Sequence, residues 1–436
     1  MNLHRHRALL IHPGIHDDLR ARVYPPWGLL CIGETLRRRG IDVRVLDLNG
    51  EDVVDAVTSA WRESSPTVVG VTGKMGVAAA RMRQVVEAVR AIDRTTPIGV
   101  GGPLAASFPA LPQPLWADVT ALFLGDGEES FVRWMEQGTP AGVFGPEEVA
   151  DLDDVGVPSW WSGLQEYTLP AEDWPNMDVP GLHMSAGRGC TRRCTFCYLN
   201  TQYPKTRFRF ISAPRLLHDL DCLCERFGAR GFYFVDDCFV DVGRVRLDAM
   251  CRALEARGAP YRFGCDLQID ELADPRLLDQ MRRAGFRCLY VGLEAASEVV
   301  RRRLGKAALP GDLRDVVRRA QSMGLLIHAS IGIGWPGETE RDIDATLAMV
   351  DALPDLLFDA FRYQPLPEVP LTRLWERGGR ALPDAVTHAR QDFSVHGPDC
   401  SELPPRRFEE RWAELVARQE ARHERYYPHL YADAAE

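Results

Sequence analysis

Met184-Ser-Ala-Gly-Arg-Gly-Cys190-Thr-Arg-Arg-Cys194-Thr-Phe-Cys197-Tyr-Leu-Asn200 places three cysteines within eight residues of one turn-forming stretch. A structural zinc site takes four protein ligands, usually as two separated pairs, whereas a cubane iron-sulfur cluster held by three thiolates keeps one iron open. No fourth cysteine follows at ligand spacing, so the triplet reads as a centre that coordinates something from outside the chain. Gly187 and Gly189 let the backbone approach a bulky group, and the apolar run before them reads as a strand that delivers the loop. A zinc knuckle completed by His183, or three unrelated thiols, are the alternatives this spacing leaves open.

The pattern C-x3-C-x2-C, with Phe196 before the third cysteine, resembles the signature of the radical S-adenosylmethionine (SAM) superfamily. The resemblance implies a 4Fe-4S cluster on Cys190, Cys194 and Cys197 whose open iron chelates the amino and carboxylate groups of SAM. It also implies reductive cleavage of SAM to a 5'-deoxyadenosyl radical, with Phe196 and Tyr198 beside the cofactor and an electron donor such as flavodoxin or ferredoxin as partner.

Composition bounds the rest. A chain of 436 residues has room for two or three domains, and 45% apolar with 26% charged residues is ordinary for a globular protein. No apolar run approaches ~18 residues, so no membrane span is expected and the expected location is cytoplasmic. Eleven cysteines without regular spacing suit a reducing compartment. Those outside the triplet read mostly as buried thiols on apolar faces. A formal charge of -10 and the lack of a Lys/Arg block argue against a nucleic-acid partner. The three lysines, Lys74, Lys205 and Lys306, against many arginines read as codon bias without chemical meaning.

Residues 1–140 alternate short apolar strands (8–11, 43–48, 67–72, 98–101, 119–124) with amphipathic helices, the pattern of a Rossmann-like parallel sheet covered on both faces. Ligands bind such sheets at the carboxyl ends of the strands. Glycines mark three of those ends, at Gly73, at Gly101-Gly102-Pro103 and at Gly125-Asp126-Gly127-Glu128-Glu129. No dinucleotide or Walker motif occurs. With the turn Pro25-Pro26-Trp27-Gly28, this half is similar to the cobalamin-binding domain that precedes many radical SAM barrels. The resemblance implies a corrin site at Pro26, Trp27, Gly28, Gly73, Gly102, Gly125 and Gly127. His16 stands where such domains can supply an axial imidazole but lacks the flanking Asp and Gly, so no protein imidazole is expected on cobalt. A sheet kept only for packing or docking is the alternative.

Residues 141–180 read as an irregular linker whose tryptophans pack between domains. Residues 181–385 show six further strands (181–186, 231–236, 261–266, 287–293, 325–332, 358–364) separated by helices, a partial α/β barrel with its site at the strand carboxyl ends. Residues 386–436 read as a short helical cap. By position in the radical SAM family, Asp236 corresponds to the residue that holds the SAM amino group, and Glu294 to the residue that meets the ribose or amino group. Ile331, Gly332 and Gly334 correspond to the segment that packs on adenine. Arg301 to Arg303 are candidates for pairing with the SAM carboxylate, or form a solvated helix face.

The carboxylates Asp237 and Asp266 at the mouth are the candidate catalytic groups. An acidic mouth suits a polyhydroxylated, cationic small molecule, because carboxylates accept from hydroxyls and pair with ammonium groups. The expected reaction is therefore dehydration of an aminoglycoside-like natural product, resembling the radical SAM diol dehydratases, with a downstream reductase as a further partner. Cobalamin-dependent C-methylation in natural-product biosynthesis is the alternative, which the two-domain order favours. A sensor without turnover would carry a DNA-binding or signalling module, and none is visible.

Overall fold

The computed structural model describes residues 6–14, 24–110, 113–155, 158–171, 174, 176–203, 208–379, 381–382 and 400–427. Two parallel sheets of six strands each form the frame. The first contains β1 (Arg7–His12), β2 (Asp42–Asp47), β3 (Val68–Thr72), β4 (Ile98–Gly101), β5 (Ala121–Gly125) and β6 (Gly142–Glu147) in the order β2-β1-β3-β4-β5-β6. Ala8, Leu9, Leu10 and Ile11 are all buried, as expected of an inner parallel strand covered on both faces. Strand order reverses at β1, so the crevice opens between the ends of β1 and β3, and the Gly73 turn sits there.

The sixth strand is a correction. β6 lies inside 141–180, which reads as irregular linker; Gly142-Val-Phe-Gly-Pro-Glu147 has no apolar alternation and contains a proline. An edge strand tolerates both, and β6 pairs only with β5.

The second sheet consists of β7 (Gly181–Met184), β10 (Gly231–Phe234), β11 (Arg262–Leu267), β12 (Phe286–Glu294), β13 (Leu326–Ile333) and β14 (Leu357–Arg362). They pair in sequence order, all parallel, and β7 and β14 stay apart as the two edges of an open half barrel. Leu289, Val291, Ile327, Ala329 and Phe358 point outward into one core with the helices. Tyr290, His328 and Asp359 alternate with them and face the concave side. Both edges are covered. Leu169 exchanges two backbone hydrogen bonds with Gly181 at β7 (2.9 and 3.0 Å). Along β14 lies the C-terminal helix Pro405–Tyr426, where Gln419 Oε1 accepts from Ala360 N (2.5 Å) and Arg362 pairs with Glu409 (2.6 Å). None of the described helices is long and apolar enough to cross a membrane.

A short antiparallel hairpin, β8 (Gly187–Gly189) with β9 (Phe208–Phe210), follows β7 and carries the cysteine loop between its strands. Sequence periodicity gives no sign of it, since three-residue strands, one of them Gly-Arg-Gly, have no pattern to read.

Candidate active site between the two sheets

The cysteine loop is built by local hydrogen bonds. Asn200 Nδ2 donates to the carbonyls of Cys194 (2.8 Å) and Cys197 (2.9 Å), and Cys197 N donates to Cys194 O (3.1 Å). Thr195 N to Leu304 O (2.9 Å) and Thr195 Oγ1 to Arg303 O (2.8 Å) tie the loop to the helix after β12. Cys190, Cys194 and Cys197 are free thiols, half-buried. Burial pushes the Cys197 thiol up to about 12 and raises Cys194, which Lys306 partly offsets. A hydrogen bond with Cys238 lowers Cys190. Phe196 packs 5.1 Å from Trp335 and belongs to the cluster of Ala295, Val300 and Leu304. That packing anchors the loop to the barrel.

Glu294 closes β12 in the left-handed region (φ 61) at a bulge in the β12–β13 pairing. A non-glycine residue there stores of order 1–3 kcal/mol and persists where its surroundings fix it. Here they do. Lys306 Nζ sits 3.0 Å from Glu294 Oε1 with both side chains under a tenth exposed, and Ser330 Oγ donates to Oε2 at 3.1 Å. A Cβ on Gly292 would stand 2.5 Å from both Glu294 Oε1 and Lys306 Nζ, so a larger residue there would push the ends of these two side chains aside. Burial lowers the Lys306 pKa, but Glu294 and Cys194 outweigh it and the ammonium is held above its ordinary value.

Lys306 is the residue that sequence reasoning missed. Arg301 is buried and spends its guanidinium on the carbonyls of Leu293, Ala295 (3.0 Å) and Ala307 (2.8 Å); Arg303 donates to Pro336 O. Neither a solvated face nor a free cation describes these two arginines.

The segment expected at adenine is covered by the chain itself. Ile331 lies in the outward-facing core, a Cβ on Gly332 would meet the Phe361 ring at 2.5 Å, and one on Gly334 would meet Phe408 at 3.1 Å. These glycines make room for aromatic packing. Buried Glu338 fixes the turn by accepting from Gly334 N (2.8 Å) and Trp335 N (3.1 Å).

Asp236 also turns inward. It is buried and accepts from Ala186 N (2.7 Å) and Ser185 Oγ (3.0 Å), and burial lifts its carboxyl to about 6. That holds the β7–β8 turn. Asp237 accepts from Tyr198 Oη (2.8 Å) and Gly189 N (3.3 Å), and burial raises its pKa. Asp266 accepts from Tyr233 Oη (2.7 Å) and is raised to about 7 by burial.

A cavity of about 460 Å³ lies between the two sheets. Pro26, Trp27, Gly28, Gly102, Gly125 and Gly127 line it from the first sheet, and Gly187, Tyr198 and Asp237 from the barrel. Gly73 sits behind that wall, giving its N–H to Gly101 O (2.7 Å) and lying under Gly102, whose φ is 94. A Cβ on Gly28 would meet no atom within 4 Å, so its face is open to the cavity. Lys74 enters from the β3 turn, its pKa lowered by burial alone. His16 lies outside the described residues.

The Gly125–Glu129 turn has a second task. Asp126 meets Arg188 (2.8 Å) and Arg209 (2.5 Å), and Glu128 meets Arg188 (2.5 Å), with Asp126 and Glu128 buried. Arg188 and Arg209 stand opposite each other on β8 and β9. The hairpin bearing the cysteine loop is thereby clamped to the first sheet. Trp27 Nε1 adds a bond to His183 O on β7 (2.9 Å).

Residues 184–350 match the Radical SAM superfamily and residues 20–133 match the B12 binding domain. The chain is therefore a radical SAM enzyme with an N-terminal cobalamin-binding domain, and its cofactors are a 4Fe-4S cluster, SAM and cobalamin. Among particular proteins, it is 24% identical over 392 residues to an uncharacterized methyltransferase, PH0819, of Pyrococcus horikoshii, covering 85% of this chain and 82% of that one. It is 23% identical over 413 residues to cytidylyl-2-hydroxyethylphosphonate methyltransferase of Streptomyces wedmorensis, covering 78% and 76%. The fold matches that of the radical SAM methyltransferase TsrM from Kitasatospora setae (TM-score 0.71, 19% identity, 95% of this chain and 91% of that one). The chain fits these cofactors on its own terms, with three free thiols on one loop and a glycine-walled cavity beside them.

Proposed function

We propose that the protein is a cobalamin-dependent radical SAM methyltransferase acting on a small molecule. The observation that carries this reading is the shared cavity, into which the glycine turns of the B12-binding domain and Tyr198 and Asp237 beside the cysteine loop both open. The two curated relatives named above, aligned over 85% and 78% of this chain, are methyltransferases, so methylation takes precedence over the dehydration that the acidic mouth first suggests. When bound, cobalamin supplies a methyl carrier and cluster-bound SAM a hydrogen-abstracting radical.

The chain's own residues would do the following. Cys190, Cys194 and Cys197 hold the cluster. Lys306 and Glu294, already paired, offer a cation to the SAM carboxylate and an anion to its ammonium or ribose hydroxyls. Asp237, oriented by Tyr198, accepts a hydrogen bond or proton from the substrate beside the cavity. The clamp of Asp126 and Glu128 on Arg188 and Arg209 fixes the distance between the two cofactor sites and keeps water from the joint. An electron donor of the flavodoxin or ferredoxin kind supplies the reducing electron.

The dehydratase reading keeps one observation in its favour: among the described residues, Asp237 and Asp266 have hydroxyl or amide donors but no Arg or Lys partner, which suits an amino sugar. One experiment separates the two. The reduced, anaerobic enzyme is given SAM and aminoglycoside-like substrates with and without hydroxocobalamin. Methylation yields S-adenosylhomocysteine and 5'-deoxyadenosine together, and only with cobalamin. 5'-Deoxyadenosine alone, indifferent to cobalamin, would return the assignment to dehydration.

A further inference from the structure

The concave face of the half barrel carries polar side chains that neither the cysteine loop nor the interdomain cavity uses. Three of them meet where β13, β14 and the C-terminal helix come together. His328 stands on β13, Asp359 on β14 and His423 on the helix Pro405–Tyr426. His328 Nε2 is 3.0 Å from Asp359 Oδ2, and His423 Nε2 is 3.3 Å from Asp359 Oδ1. One donor atom from each residue lies within 4.8 Å of the other two, and all three residues are half-buried.

The close approach of His328 to Asp359 is not an aligned hydrogen bond, because the buried Nε2 has no partner in line with it. One ligand atom from each of the three residues lies within 4.8 Å of the others, a spacing at which the ligand atoms of one shared ion stand. The ring planes are also held. Tyr290, opposite His328 on β12, donates to Asp359 Oδ2 at 3.4 Å, and its ring lies edge-on to the His328 imidazole at 4.8 Å. Outer partners of this kind orient metal ligands.

We propose that His328, Asp359 and His423 bind a divalent transition-metal ion, distinct from the iron of the cluster and the cobalt of cobalamin. Two imidazoles and one carboxylate are the donor set that suits Zn²⁺ or Fe²⁺ over Mg²⁺ or Ca²⁺, whose ligands are oxygens. Three protein ligands leave coordination positions open on the concave side of the sheet, where water or a hydroxyl, carboxylate or amine of a substrate completes the shell. His423 Nε2 also lies within hydrogen-bond distance of Phe358 O, at 3.0 Å. Metal uptake turns that nitrogen to the ion, with the proton carried on Nδ1. The site does not depend on which reaction the enzyme performs.

Zinc is the probe, since iron and cobalt arrive with the other cofactors. The cluster-loaded holoenzyme, washed with chelator, is titrated anaerobically with Zn²⁺ against a chromophoric competitor, and bound zinc is counted by elemental analysis. The expected result is one zinc per chain, with affinity reduced roughly 100-fold or more in His328→Ala and His423→Ala. Asp359→Asn keeps the shape and the Tyr290 bond while removing the charge, so it should lose zinc without losing the fold, which retained cluster absorbance verifies. Cys190→Ala/Cys194→Ala/Cys197→Ala should still take up the zinc, since the cysteine loop is not its site. Equal zinc affinity in wild type and His328→Ala, or zinc that disappears only with the cysteines, overturns the proposal and leaves the triad a hydrogen-bonded relay.

Discussion

Replacing Lys306 by Met should separate the two tasks proposed for the Lys306–Glu294 pair, holding the barrel mouth and holding SAM. The ammonium is 3.0 Å from Glu294 Oε1, and the two side chains are 9% and 8% exposed. Removing the cation leaves a buried carboxylate with the Ser330 hydroxyl as its remaining side-chain donor. Breaking one partner of a buried pair costs about 3–5 kcal/mol, most of it the uncompensated charge. Lys306→Met/Glu294→Gln replaces that charge with a neutral amide that still accepts from Ser330, so the double variant should recover about 2 kcal/mol or more of the loss. SAM affinity should follow a different pattern. Each hydrogen bond to the buried ligand contributes about 1–3 kcal/mol, so the single and double variants alike bind SAM several-fold or more weakly. Lys306→Arg should fail as well, because the space under Gly292 is already filled by Nζ and a planar guanidinium needs more room. Anaerobic urea unfolding, compared as a double-mutant cycle, gives the first quantity, and calorimetric titration with SAM gives the second. Additive stabilities would show that the two residues do not interact, and a double variant with wild-type SAM affinity would refute the binding role.

Other outcomes follow from the same geometry. Cys190→Ala/Cys194→Ala/Cys197→Ala should lose all reconstituted iron and sulfide while keeping its far-ultraviolet circular dichroism, because no barrel strand depends on these thiols. Glu294→Ala should weaken SAM binding about fivefold or more, as measured by calorimetry. Gly28→Leu should bind cobalamin poorly yet unfold no earlier than wild type, since the added side chain meets only cavity and leucine suits a helix better than glycine; retained cobalamin absorbance after gel filtration checks it. The interdomain clamp should show a pH signature. Burial raises the Asp126 pKa, but Arg188 and Arg209 outweigh it and hold the carboxyl below its ordinary value. The unfolded chain therefore takes up the proton first as pH falls, and the clamp's stabilisation is complete above about pH 4 and lost below it. The melting-temperature gap between wild type and Arg209→Met should be constant above that pH and shrink beneath it.

Apart from β6, the strands of both sheets were legible because each is an apolar run bounded by turn residues, and observed ends such as Arg262–Leu267 and Leu326–Ile333 fall within a residue or two of the expected ones. The cysteine loop was legible for a different reason, since metal ligands must be particular residues at particular spacing. What stayed hidden depends on contacts between segments far apart in sequence. β6 shows no alternation because it is an edge. The hairpin β8–β9 exists because Arg188 and Arg209 reach Asp126 and Glu128 some 60 or more residues earlier, and no local pattern records that. His328, Asp359 and His423 likewise carry no shared spacing.

The lysines show how a true compositional reading can mislead. Three among 52 basic residues do reflect a chain that prefers arginine, yet a strong preference makes the exceptions informative. Where arginine is the default, a lysine persists at a position whose geometry refuses a fork of five donors and accepts a compact ammonium. Lys306 meets that condition under Gly292, and Lys74 stands in the wall of the cavity between the sheets. Both described lysines thus stand beside residues for which the superfamily resemblance implies a cofactor, Lys306 paired with Glu294 and Lys74 next to Gly73 in the sequence.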